Sequence, residues 1–213
     1  MAKQFGGAFA NYYGKVGNVI ARIRQGRTIL SIYQPNVHNP RTEAQVAQRT
    51  DFGLITKFLS PLSQILKYGF HSLDGYKTGN YFSAAVGYNL NHNVLTGEGQ
   101  NREVDASKTY LAEGRIDLPY SPSATADGTT LSLTWADNSG MGDAQADDKV
   151  MVAALNGMKG QAITNVEVAT RADRNGTMQL PSAWTGDNVD VWMVMRRGEY
   201  DCSNSTHLAT LPL

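Results

Sequence analysis

Residues 39–70 read NPRTEAQVAQRTDFGLITKFLSPLSQILKYGF, and the rest of the chain is organised around this stretch. Pro40 holds the residue before it extended. Thr42 then stands where a helix N-cap belongs, with Gln45 three residues on, the Thr-x-x-Gln pattern of a capping box. Phe52, Ile55, Leu59, Leu62 and Leu66 recur at spacings of three and four, which puts them on one helical face. Gln45, Gln48, Arg49, Asp51 and Lys57 lie between them and are polar. Ser60-Pro61 interrupts the face, and Ser60 can cap a second helix with Pro61 at its first position. The stretch predicts a capped helix over about 42–59, a kink or break, and a shorter helix ending near Gly69. Its pattern organises packing and carries no catalytic signature.

Before this stretch, residues 5–17 read FGGAFANYYGKVG. Glycine admits close backbone approach, so such an arm can lie extended across another subunit. Two β-rich runs, about 18–24 and 27–33, flank Gln25-Gly26, a two-residue hairpin turn by its glycine. Side chains alternate along a strand, so Arg22 and Arg24 share one face while Val19, Ala21 and Ile23 take the other. A two-stranded ribbon is marginal alone. This one carries Val19, Ile23, Ile29, Leu30, Ile32 and Tyr33, which leaves apolar groups on both faces, and the following helix covers only one. Self-association through the first seventy residues is the expectation.

Beyond Gly69 a turn, HSLDGYKTGN, leads to Asn80, which can cap a helix over about Tyr81–Asn93 with Phe82, Val86 and Leu90 inward. LTGEGQNREVDASKT follows as a polar loop. From Gly114 the texture changes: Thr129, Leu131, Leu133 and Trp135 alternate with Thr130, Ser132 and Thr134. Lys149–Leu155, Asn165–Thr170, Gly176–Leu180, Asn188–Met195 and His207–Leu211 are further short apolar runs. Six or so strands in about a hundred residues predict an antiparallel β-sandwich of immunoglobulin or fibronectin type. Trp135, Trp184 and Trp192 are expected in or near its core. The fold class is therefore α+β, with a basic hairpin-plus-helix assembly module over 1–114 and the β-sandwich over 115–213.

The formal charge is zero, but residues 1–70 hold nine Lys/Arg against Glu43 and Asp51. A basic head and an acidic tail suggest two units with different surroundings, or head-to-tail attraction between copies. Cys202 is alone, so neither an internal disulfide nor a cysteine zinc site is available, and a buried thiol is expected. No signal peptide and no run of about 20 apolar residues is present, so no membrane partner is expected. His38, His71, His92 and His207 are scattered, and no phosphate-binding loop, dinucleotide fingerprint or nucleophile elbow occurs. Four aspartates (137, 143, 147, 148) sit in one loop without the alternate spacing of a calcium loop, which reads as a solvated segment. No catalytic, cofactor or metal residue is proposed. The candidate assembly residues are Lys15, Arg22, Arg24, Ile29, Ile32, Arg41, Thr42, Arg49 and Phe52. Candidates for nucleic-acid contact are Lys15, Arg22, Arg24, Arg27 and Tyr33, where cations interleave with aromatics.

Gly14-Lys-Val-Gly, the basic hairpin Arg22-Ile-Arg-Gln-Gly-Arg-Thr and Asn39-Pro-Arg-Thr-Glu-Ala-Gln-Val-Ala-Gln-Arg49 followed by Phe52 together resemble an uncharacterised family of about two hundred residues. It is encoded by Bacteroides-group bacteria and their tailed phages, including crAss-like ones. The likeness is closest over residues 10–70 and departs at Ala21-Arg22-Ile23, where a glycine and a tryptophan are common. It implies a phage or prophage setting and supplies no catalytic residue. The expected function is that of a virion structural protein, made in the bacterial host cytoplasm. Such a protein would contact its own copies and other virion proteins in a tail, collar, head–tail connector or capsid-surface position. Two rivals from other classes are a nucleic-acid-binding accessory protein using the basic head and a glycan-binding module in the β-domain.

Overall fold

The structure, a computed structural model, describes residues 2–4, 12–24, 26–36, 41–71, 81–199 and 201–213. The arm over 5–11, the Asn39-Pro40 helix entry and the Asn80 cap fall outside these. The described chain divides into two compact units, Met1–Gln45 and Val46–Leu213.

In the first unit the expected hairpin forms: β3 (Val19–Arg24) and β4 (Arg27–Ile32) pair with Arg24 opposite Arg27, leaving a two-residue connection in which Gly26 has φ 71°. That positive φ is the reason for glycine there. The ribbon is not two-stranded, however. The short strands β1 (Ala2–Gln4) and β2 (Gly14–Val16) flank it, giving an antiparallel sheet in the order β1-β4-β3-β2. The last residues of the glycine-rich arm thus form β2, and the residues before the arm form β1, because the ribbon's open edges present unpaired backbone groups that an extended segment satisfies.

α1 (Glu43–Leu59) starts at the predicted place, and Thr42 Oγ1 accepts from the Gln45 backbone N–H at 3.4 Å. The reciprocal half of the capping box is missing, since Gln45 Oε1 has no partner. Ser60 caps nothing. The chain passes through one 3₁₀ turn, Ser60–Leu62, with Pro61 in its first positions, directly into α2 (Ser63–Gly69). A 3₁₀ turn accommodates the missing proline N–H without a break. Ile55, Leu59, Leu62 and Leu66 are buried as expected, whereas Phe52 is 54% exposed: only the second half of α1 enters the core. At the end of α2, a Cβ on Gly69 would sit 2.3 Å from the Leu111 carbonyl oxygen. There the glycine is required by proximity, not by φ.

α3 (Tyr81–Asn91) buries Ala84, Ala85, Val86 and Asn89. Asn89 fastens the helix to the following segment, donating to the Ala85 and Tyr110 carbonyls and accepting from the Tyr110 N–H. After a small two-stranded sheet, β5 (Leu95–Thr96) with β6 (Glu103–Val104), the β-rich part follows. Its strands are β7 (Tyr120–Asp127), β8 (Thr130–Ala136), β9 (Lys149–Asn156), β10 (Gln161–Thr170), β11 (Asn175–Gln179), β12 (Asn188–Arg197), β13 (Asp201–Cys202) and β14 (Thr206–Pro212). They make a three-stranded antiparallel sheet, β11-β8-β7, and a five-stranded one, β10-β9-β12-β13 with β14 also on β12.

β7 escapes the alternation rule because its apolar residues are small (Ala124, Ala126) and Pro122 lies in it. Proline is admissible there: β7 is an edge strand, and the register shifts between Tyr120 and Ser123. Between the two sheets, Leu131 and Leu133 of β8 meet Val150, Val152 and Ala154 of β9 and Val189, Val191 and Met193 of β12. The alternation read at 129–135 is therefore the inner face of β8. The other face of the larger sheet is not solvated. Met151, Ala153, Leu155, Trp192 and Val194 pack with Ile55, Leu59, Leu62, Ile65, Leu66 and Phe70 of the helices. Helices and strands share that core, so the boundary expected at 114/115 falls inside the second compact unit.

Candidate functional site

The register of the N-terminal sheet sorts its side chains by face, because residues directly opposite across a ladder point the same way. Val19 lies opposite Ile32, Ala21 opposite Leu30, Ile23 opposite Thr28, and Val16 opposite Val19. This face is apolar. Ala21 and Thr28 are buried, but Val16 is 61% exposed, Val19 39%, Ile23 48% and Ile32 78%. On the other face Lys15 lies opposite Ile20, Ile20 opposite Ser31, Arg22 opposite Ile29, and Arg24 opposite Arg27. The four cations are exposed, while Ile20, Ile29 and Ser31 are half-buried among them. The Lys15 ammonium stands 3.4 Å over the Tyr33 ring, a cation–π contact. The sheet therefore has one greasy face and one cationic face.

This geometry redistributes the residues singled out from sequence. Lys15, Arg22, Arg24, Arg27 and Tyr33 come together on the cationic face. Ile29 joins them, opposite Arg22, and not Ile32 on the apolar face. The ribbon's exposed apolar groups are thus concentrated on one face. Arg41 and Thr42 sit at the start of α1, while Arg49 and Phe52 are exposed on its later turns, in the second compact unit.

The second unit holds a polar cluster that the sequence reading took for a solvated loop. Asp148 and Arg171 are fully buried and joined by an ion pair of 2.8 Å. Arg171 also donates through Nε to the Gln145 carbonyl, through Nη1 to Asn138 Oδ1 and through Nη2 to the Asp117 carbonyl. Its own carbonyl accepts from Trp135 Nε1 at 2.8 Å. Asp148 further accepts from the Gln145 N–H and from Arg197, which also bridges to Asp143. Burial alone would raise the Asp148 pKa. The hydrogen bonds from Arg197, the Gln145 N–H and Arg171 overcome that and hold it below the usual carboxylate range. Asp137, held low by its bonds from Ser139, closes the same loop. Each guanidinium nitrogen of Arg171 is thus donating, and the cluster ties the 137–148 loop to the residues around Arg171 and Arg197. The visible signal was the Thr170-x-x-Asp173 box, which forms around Arg171. Nothing local marks Arg171 itself as buried.

Cys202 is buried, as expected, with its thiol donating toward the Gly69 and Glu113 carbonyls. Trp135, Trp184 and Trp192 are all buried. Among the described residues, no three His, Cys, Asp or Glu side chains converge as a metal site, and no helix is long and apolar enough to cross a membrane. The N-terminal sheet, with its two unlike faces, is the candidate functional surface.

A family model described as a family of unknown function (DUF6266) matches residues 11–209, and the chain belongs to that family. The match reaches into both compact units and takes in β2, β3 and β4 of the N-terminal sheet. No curated protein matches the chain.

Proposed function

We propose that this chain is a non-enzymatic structural protein that assembles with its own copies through the N-terminal sheet, as a component of a phage particle. One observation carries the reading: Val16, Val19, Ile23 and Ile32 lie exposed together on one face of that sheet. A one-sided apolar sheet is stable when a second layer covers it. Each large side chain brought out of water adds roughly 1.5–3 kcal/mol. A two-fold contact lets the same face serve both partners, and a head-to-tail contact can close into a ring. The phage setting, in a tail, connector or capsid-surface position beside other virion proteins, is supported by the likeness of residues 10–70 to phage-encoded sequences.

The second unit supports an immunoglobulin- or fibronectin-like reading through its strand order. Taking β7 to β12 and β14 as seven consecutive strands, the first, second and fifth form one sheet. The third, fourth, sixth and seventh form the other. That order is the one an immunoglobulin-like sandwich with its fourth strand on the second sheet would have, and it supports this reading. The glycan-binding rival has less support, since the three tryptophans are occupied in packing and offer no stacking platform.

The test is sedimentation of the wild-type protein beside a Val16→Asp/Ile32→Asp variant, with mass spectrometry of purified particles. The expected result is an oligomer for wild type, a monomer with unchanged circular dichroism for the variant, and an assembled Ile29→Asp control. A wild type that stays monomeric at high concentration and is absent from particles overturns the proposal.

A further inference from the structure

We infer that the cationic face of the N-terminal sheet docks on the acidic end of the second unit of another copy, extending head to tail the assembly proposed above, on which this contact rests. The charge of the chain is divided between its units. Residues 1–45 hold six Lys/Arg and one carboxylate, Glu43, whereas residues 46–213 hold thirteen Lys/Arg and eighteen Asp/Glu. A net +5 thus stands against a net −5 in a chain whose formal charge is zero. Like units repel and unlike units attract, so copies are steered to meet head to tail.

On the first unit, Arg22 and Arg24 carry the contact. They are exposed on one face of β3, about 6.7 Å apart as alternate residues of a strand. Neither has an ion pair among the described residues.

On the second unit, the matching surface surrounds Arg197. Asp143 and Asp148 hold its guanidinium, Asp201 lies opposite it across the β12–β13 ladder, and the turn between those strands adds Glu199. Asp147 adjoins Asp148, and the Asp117 carboxylate accepts from the Asp143 N–H. Asp117, Asp147, Glu199 and Asp201 are exposed and, among the described residues, without an ion pair. Of the cations nearby, Arg171 is buried on Asp148, Arg197 already serves two carboxylates, Arg174 lies 3.9 Å from Asp137, and Arg115 is exposed. This end therefore keeps negative charge that its own side chains leave unneutralised.

The two surfaces belong to different units, so the contact is heterologous: each docking leaves a cationic face open at one end and an acidic surface at the other, and the step repeats. Exposed ion pairs are individually weak and screened by salt, so a single contact does not hold two monomers. Copies already joined through Val16, Val19, Ile23 and Ile32 offer several such contacts at once.

The experiment is sedimentation velocity of the nuclease-treated full chain between about 20 and about 500 mM salt, across which the screening length falls from roughly 20 Å to roughly 4 Å. The apolar-face oligomer alone is expected at high salt, and a weight-average mass raised roughly 2-fold or more at low salt. Arg22→Glu/Arg24→Glu and Asp147→Lys/Asp201→Lys are each expected to keep the high-salt oligomer and the circular dichroism but to lose the growth. An equimolar mixture of the two is expected to regain it, because every reversed surface then meets its opposite on the other chain. Lys57→Glu/Lys108→Glu changes the net charge as much as the arginine variant, at exposed positions outside both surfaces, and is expected to grow like wild type. A monomer at high salt overturns the assembly reading and this contact with it, whereas a high-salt oligomer that does not grow at low salt overturns the contact alone. Growth unchanged by Arg22→Glu/Arg24→Glu, or a mixture that does not recover, overturns it as well. Growth that appears only after an oligonucleotide is added back assigns the cationic face to nucleic acid instead.

Discussion

The sheet of the first unit and the larger sheet of the second are both antiparallel and both rich in branched apolar residues, yet they bury them very differently. Along β9 every residue from Val150 to Asn156 is buried, and β12 is nearly as enclosed, because one face meets the smaller sheet and the other meets the helices. In β3 and β4 only Ala21 and Thr28 are buried. The difference is written in the alternation. Val-Met-Val-Ala-Ala-Leu has no polar residue for water to claim, so it needs a layer on each side. Val-Ile-Ala-Arg-Ile-Arg gives one face to cations and can be layered on one side only. One sheet ends its folding inside the chain. The other keeps an apolar face in reserve, and that reserve is the physical basis of the assembly proposal.

The sharpest way to break the comparison is to strip a layer from the enclosed sheet. Residues 41–213 are expected to unfold cooperatively as a folded piece. Residues 115–213 alone would expose Met151, Leu155, Trp192 and Val194, each forgoing roughly 1.5–3 kcal/mol against a total stability of about 5–15 kcal/mol. Near-ultraviolet circular dichroism and denaturant titration check this. A cooperative transition in 115–213 matching the longer piece would mean the helices are dispensable.

A smaller effect is expected at the polar clamp. Asp148→Ala leaves the Arg171 charge buried without its partner, a loss of about 3–5 kcal/mol by denaturant titration. The pH dependence has a definite sign. The folded pKa of Asp148 lies below the unfolded value near 3.9, so the stabilisation is complete above about pH 4 and is lost as pH falls through the folded value. Asp148→Asn is therefore expected to show a flatter loss of stability below about pH 4 than wild type. Identical acid limbs would show that Asp148 does not govern it.

The smallest effect belongs to the start of α1. Its cap bond is long and exposed and the box is only half made, so Thr42→Ala is expected near the low end of the usual range, about 0.5 kcal/mol. Gln48→Ala, also exposed, serves as the control. Equal shifts in the unfolding midpoint would remove Thr42 as a cap.

Much of this was legible in the amino-acid order because it depends on near neighbours. The Gln25-Gly26 turn, the start of α1 at Thr42, the end of α2 at Gly69, the inward row Leu131-Leu133-Trp135 and the separation of Arg22 and Arg24 from Val19 and Ile23 all follow from period and φ. What the tertiary structure alone decided involves residues far apart in the chain. Sequence could not say that β1 and β2 would widen the ribbon, since three-residue strands carry no period. Nor could it tell that an aspartate-rich loop would bury Asp148 against Arg171, twenty-three residues later. A charge goes inside only when its partner and every remaining hydrogen bond arrive from elsewhere in the fold, and no local pattern encodes that arrival.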